Sequence, residues 1–121
     1  MKRRSHRPER VSEMVREAVG AFLTGDVRDP RIGFVTVTGV DTSSDLRHAR
    51  VYVSVLGADE ERRASLEGLS SAHGFLQRRV ATELRLKHTP QLVFVEDETA
   101  RRAERVERLL GEHHPPGTDA A

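Results

Sequence analysis

The sequence predicts an α+β domain, a three-stranded sheet with its helices on one face, and three observations carry that reading. Val11, Met14, Val15, Ala18, Val19, Phe22 and Leu23 recur at helical spacing along one stretch. Residues 33–41 (GFVTVTGVD) and 49–56 (ARVYVSVL) are rich in β-branched residues and alternate with period two. Residues 66–86 carry two apolar stripes that meet at Ala72-His73-Gly74, with Leu66, Leu69 and Ala72 on one side and Leu76, Val80 and Leu84 on the other.

Taken in order, residues 1–7 read as a flexible basic arm. Pro8 suits the first turn of the helix that follows, and Gly25 suits its stop. The stretch 26–32, with Asp29-Pro30, is a turn. In the first strand Val35 and Val37 share one face and Thr36 and Thr38 the other. A polar turn, 41–46, leads to the second strand, where Val51, Val53 and Val55 alternate with Arg50, Tyr52 and Ser54. These two strands should pair antiparallel. The open face of the sheet should then show Thr36, Thr38, Tyr52 and Ser54.

After Gly57 the stripes predict a helix, a kink and a second helix. Gly68, Ser70, Ser71 and Gly74 cluster where a single helix should be strongest. Glycine costs about 1 kcal/mol relative to alanine there, and it also tolerates a left-handed φ. The kink is therefore placed at Ala72–Gly74, with a weak continuous helix as the alternative. Thr89-Pro90 ends the pair. Gln91–Glu96 is a third strand, with Leu92 and Phe94 opposite Val93 and Val95. Thr99 is placed as the cap of an extra C-terminal helix bearing Ala103, Val106, Leu109 and Leu110. Residues 8–112 thus form one domain, and 113–121 a disordered tail. Because helices connect strands two and three, those strands should lie parallel with a right-handed crossover.

With 36% hydrophobic and 32% charged residues, the 121-residue chain is long enough for one core under a charged surface. The absence of cysteine excludes disulfides and thiol catalysis and fits an intracellular chain. No apolar run approaches the ~20 residues of a membrane span, and the basic N-terminus lacks a signal peptide's apolar region. The net charge is only +1, but it is unevenly spread. Lys2, Arg3, Arg4, Arg7 and Arg10 face Glu9 alone in the first ten residues. Arg78, Arg79, Arg85 and Lys87 stand against Glu83. Acids gather at 59–61 and 96–98. Such polarity permits one anion-binding face.

The element order resembles the type II KH domain, an RNA-binding fold written αββααβ. That fold usually carries a Gly-x-x-Gly loop between its central helices; here Ala72-His73-Gly74 stands in its place. An Ala-x-Gly kink there is typical of the ribosome-binding factor A family. The order of other short matches agrees: Asp29-Pro30-Arg31, Asp45-Leu46, Ala49-Arg50-Val51-Tyr52-Val53-Ser54, Phe75-Leu76, Leu84-Arg85-Leu86 and Pro90-Gln91-Leu92. The resemblance spans about residues 7–110. It implies a bacterial, cytoplasmic, non-enzymatic protein that binds the immature 30S subunit and assists late maturation and 5′ processing of 16S rRNA. The chain is read as a monomer with no cofactor. A generic KH-type RNA-binding module and a small protein-interaction adaptor are the competing readings.

The candidate RNA-binding residues are Arg78, Arg79, Arg85 and Lys87, with Arg3, Arg4 and Arg31. Each has a plainer reading. Arg79 and Glu83 sit at i, i+4 and suit a surface ion pair. The arm suits simple solvation, and so do Arg28 and Arg31 around Asp29-Pro30. Aromatics make up only 4% of the chain, with Phe22 and Phe75 read as core. That favours recognition of RNA backbone and shape over base stacking. Asp41, His48 and Ser43 or Ser44 superficially resemble a hydrolytic triad but have no nucleophile elbow or oxyanion hole. Adjacent His113 and His114 lack an ordered metal site. No catalytic or metal site is assigned.

Overall fold

A computed structural model describes residues 2–25 and 30–113; for residues 2–6, 100, 101, 112 and 113 it describes the backbone alone. The elements run α1 (Lys2–Thr24), β1 (Phe34–Thr42), β2 (His48–Leu56), α2 (Asp59–Leu84), β3 (Gln91–Glu96) and α3 (Thr99–His113). The sheet order is β1-β2-β3. β1 and β2 are antiparallel, whereas β2 and β3 are parallel and joined through α2. The order and pairing are those the sequence predicts.

Helices α1 and α2 cover one face of the sheet. From α1 the core takes Val11, Val15, Val19 and Phe22. Val35, Val37, Val51, Val53, Val55 and Leu92 come from the sheet, and Leu69, Leu76, Val80 and Leu84 from α2. Each such side chain, fully buried, contributes about 1.5–3 kcal/mol.

The central helical region is the main correction. α2 is one helix of 26 residues, and Gly74 does not take a positive φ. Its buried positions, Ser65, Gly68, Leu69, Leu76, Val80 and Leu84, fall at successive spacings of three, one, seven, four and four, all within one helical stripe. The two stripes are thus in phase on one cylinder. Packing of that stripe outweighs the glycine propensity cost, as tertiary burial generally does in helices. Acidic Asp59, Glu60 and Glu61 occupy the first turn, where the helix dipole favours them. Glu61 Oε1 reaches back to accept the Ala58 N–H at 2.8 Å.

Other boundaries shift for identifiable reasons. Residues 2–7, read as an arm, have helical backbone, so Pro8 lies inside α1. Its fixed φ is compatible with a helix, and the price is one missing backbone hydrogen bond. Ser54 is buried and does not belong to the open face; α3 packs against β2, the strand that carries it. The expected disordered tail begins at the last residue of α3, and residues 114–121 lie outside the described residues.

A β-bulge re-phases β1. Val37 pairs with Val53 and Gly39 with Tyr52, which leaves Thr38 as the extra residue. Val35 and Val37 are buried before it, and Thr42 after it, with Asp41 outside. The bulge thereby delivers Thr42 to α1, where Ser12 Oγ accepts its N–H at 3.1 Å and meets its hydroxyl at 2.7 Å.

The bulge also meets the start of α3. Thr38 donates its hydroxyl to Asp97 Oδ2 at 2.9 Å, and Thr99 donates its N–H to Asp97 Oδ1 at 3.0 Å. Asp97, and not Thr99, is therefore the capping side chain. Hydrogen bonds from the hydroxyl and N–H of Thr99, then from Thr38, hold the Asp97 carboxyl below its ordinary value of 3.8. Since the folded pKa is the lower one, its stabilisation is complete well above 3.8 and is lost as pH falls through the folded value. Asp97→Asn should lower the melting temperature at pH 7, and the gap to wild type should narrow as pH falls below 3.8 through the folded value. Melting curves across that range check this; a gap that does not change with pH would show that the ionised form is not what matters.

Candidate nucleic-acid interface

The exposed side of α2 carries part of the expected basic surface. Arg78 is exposed, and its Nη1 lies 3.6 Å from the point where a Cβ on Gly74 would sit, so its guanidinium folds back over that glycine. Arg79 pairs with Glu83, Nε to Oε2, at 3.3 Å. An exposed i, i+4 pair is worth about 0.3–0.5 kcal/mol, and it occupies part of Arg79's hydrogen-bonding capacity. Arg85 ends the helix in the left-handed conformation, φ 52°, and donates its N–H to Ala81. Cations here and at Lys87 meet the negative end of the helix dipole, where they are favoured. Phe75, read as core, is 37% exposed. Its ring lies 5.4 Å from that of Phe22 and shares a shallow depression with Arg78 and Arg79.

Arg31 stands apart from that surface, in the loop before β1. The loop lies directly on α2: the Gly33 N–H donates to Ser65 Oγ at 3.0 Å. The backbone of Arg3 and Arg4 is in α1, and their side chains lie outside the described residues, as does Arg28.

Ala72, His73 and Gly74 divide their tasks. Ala72 packs on the core. His73 Nε2 meets the Leu92 carbonyl at 2.7 Å, so the nitrogen that donates is Nε2–H. Its ring also stands edge-on to Phe94, centroids 6.1 Å apart. Gly74 is exposed, and the only side-chain atom near the place of its missing Cβ is Arg78 Nη1. One turn further on, Gln77 donates from Nε2 to Pro90 O at 2.8 Å and accepts the Leu92 N–H at 3.0 Å. Loss of two part-buried hydrogen bonds predicts that Gln77→Ala destabilises by about 1–3 kcal/mol. Denaturant unfolding with an unchanged m-value checks it; a variant within a few tenths of wild type would show those bonds to be worth nothing net.

A second group of cations is assembled only by the fold. Lys87 lines a cleft together with Arg7 of α1 and Arg47 of the β1–β2 turn, and His48 and His88 stand on its walls. Half-buried Leu46 and Leu86 line it too and pack against the core. The turn is rigidly built. Leu46 takes a left-handed φ of 62°. Ser43 Oγ donates to Asp45 Oδ1 at 2.7 Å, and Asp45 Oδ1 accepts the Arg47 N–H at 3.1 Å. These bonds, Ser43's first, hold the Asp45 carboxyl below its usual range. The Gln91 N–H then donates to Arg47 O at 2.7 Å and ties the turn to β3. Asp45 is thus spent on the turn itself, and three cations converge from segments far apart in sequence.

The hydrolytic arrangement is not formed: the Ser43 hydroxyl donates to Asp45 and accepts the His48 backbone N–H at 3.0 Å. Among the described residues no three His, Cys, Asp or Glu side chains group as a metal site. No helix among them is long and apolar enough to cross a membrane.

These features define a KH-like α+β domain whose basic surface suits a phosphodiester backbone. Residues 7–110 match the family model of ribosome-binding factor A, and the chain belongs to that family. A curated ribosome-binding factor A from Geobacter metallireducens is 44% identical over 106 residues, covering 88% of this chain and 90% of that protein. The crystal structure of ribosome-binding factor A from Thermus thermophilus matches with a TM-score of 0.56 and 26% identity, over 77% of this chain and 94% of that one. Coordinates of the Thermus thermophilus factor fitted into a cryo-electron-microscopy map of its complex with the 30S subunit match equally, with a TM-score of 0.56, 27% identity and 77% and 93% coverage.

Proposed function

We propose that this chain binds the immature 30S subunit in the cytoplasm as a monomer. In this reading it contacts 16S rRNA through the basic surface and assists late maturation and 5′ processing. It does so by binding alone, with no chemical step and no cofactor. The observation that carries the reading is the convergence of Arg7, Arg47 and Lys87 on one cleft, in a family one of whose members has been fitted into a 30S complex. A KH-like domain can hold folded rRNA through its backbone. Phosphate contacts position such a protein and make its affinity salt-dependent. Arg78 and Arg85 extend the same charge along and past α2, and the Arg78 guanidinium over exposed Gly74 offers a cation to an approaching strand.

The test is sedimentation of cell extract. The protein should travel with free small subunits, and cells depleted of it should accumulate 16S rRNA with an unprocessed 5′ end. Migration with 70S ribosomes alone, or normal 16S termini on depletion, would overturn the reading.

A further inference from the structure

Phosphate recognition explains the rim of the Arg7–Arg47–Lys87 cleft but not its interior. Phosphates need donors, and a cleft lined by leucines offers them nothing. Here Leu46 and Leu86 contribute apolar surface beside three cations and two imidazoles, His48 and His88; the Asp45 carboxylate also lines the cleft, its Oδ1 already bound by the Ser43 hydroxyl and the Arg47 N–H. Thr89 and Gln91 add a hydroxyl and an amide to the same lining. An apolar surface, flat rings, a hydroxyl, an amide and a cationic rim together match the parts of one nucleotide. A base has an apolar face for leucine and imidazole, an edge that an amide can read, and flanking phosphates.

We propose that this cleft seats a single unstacked nucleotide of single-stranded RNA. The base lies against Leu46 and Leu86 with His48 and His88 beside it, its edge meets Thr89 and Gln91, and its neighbouring phosphates rest on Arg7, Arg47 and Lys87. This deepens the proposed binding of rRNA and rests on it, because it says which kind of rRNA segment is held. Bases within a helix are stacked and paired, so the segment comes from a loop, a bulge or a strand end. The site is preorganised. The Ser43–Asp45–Arg47 bonds fix one wall, and the Gln91 N–H to Arg47 O bond fixes the distance between that wall and β3. No aromatic residue is needed, which answers the shortage of aromatics in the chain.

The experiment uses the full chain and purified small subunits in a salt series at pH 8. Arg47→Ala and Lys87→Ala should each lower the log–log salt slope by about 0.7. His88→Ala and Gln91→Ala, both at exposed positions, should weaken binding about fivefold or more at every salt concentration and leave the slope unchanged, as loss of a base contact does. An unstructured RNA decamer should compete better than a duplex of the same length. If the wild type fails to bind subunits, the rRNA reading itself falls. If it binds but His88→Ala and Gln91→Ala match it, or the duplex competes equally, the cleft holds backbone alone and the nucleotide seat is wrong. Competition by an acidic peptide and not by RNA would overturn both.

Discussion

Replacing Arg78 and Arg85 together with glutamine is expected to weaken binding to purified small subunits by about 25- to 60-fold at 0.1 M salt. The figure follows from counterion release. If each arginine neutralises one phosphate, losing both flattens the log–log salt dependence by about 1.4–1.8, and the two curves converge near 1 M salt. The fold should survive, because both positions are exposed and surface changes shift stability by about 0.5 kcal/mol or less. Glutamine is preferred to glutamate, since a carboxylate at Arg85 would meet the negative end of α2 and add a stability cost of its own. Arg79→Gln is the internal comparison. Its guanidinium already pairs with Glu83, so its effect should be the smallest of the three. Binding across a salt series, with circular dichroism for folding, provides the measurement. A folded double variant with wild-type affinity and slope would remove this side of α2 from the interface and leave the cleft to carry it.

Gly68→Val should be the most damaging single change on α2, costing about 3 kcal/mol. A Cβ there would lie 2.6 Å from Ile32 Cγ1 and 3.4 Å from Arg31 Cβ. The nearest atom is neither the end of a flexible chain nor free to swing away. The loop before β1 would have to lift from α2 and give up the Gly33–Ser65 bond. For a domain of about 100 residues that corresponds to a fall in melting temperature of more than 10 °C. Gly74→Ala should do the opposite and stabilise by about 0.5–1 kcal/mol. Its backbone is helical, and an added Cβ meets only Arg78 Nη1, at an ordinary 3.6 Å. Thermal melts of both variants decide the point. A destabilised Gly74→Ala, or a tolerated Gly68→Val, would reverse the roles assigned to the two glycines.

That pair also shows what a sequence can and cannot reveal. The α1 stripe from Val11 to Leu23 and the alternation around Val51, Val53 and Val55 were legible, because burial imposes a period that one chain segment records alone. The glycines of α2 were legible as departures from good helix formers, but their cause was not. Gly68 answers to Ile32, 36 positions away, and no local pattern registers that approach. The bulge at Thr38 was equally hidden, since it transfers the inward phase from Val37 to Thr42 without interrupting a β-rich run. The basic surface was half legible. Arg78, Arg85 and Lys87 stood out as a run, whereas Arg7 and Arg47 join Lys87 only because the chain returns on itself through the parallel β2–β3 pairing and a left-handed Leu46.

The side-chain amide of Gln77 has a consequence for how the molecule behaves in company. β3 is an edge strand by topology, yet Pro90 O and the Leu92 N–H find in Gln77 the donor and the acceptor, respectively, that the peptide group of a fourth strand would have offered, and His73 donates to the Leu92 carbonyl. To another chain, this part of the edge presents no vacant template. At the opposite edge the bulge in β1 breaks the regular spacing that an incoming strand would need. One amide and one imidazole on α2, with one surplus threonine in β1, make this sheet a poor place for an unpaired strand to add.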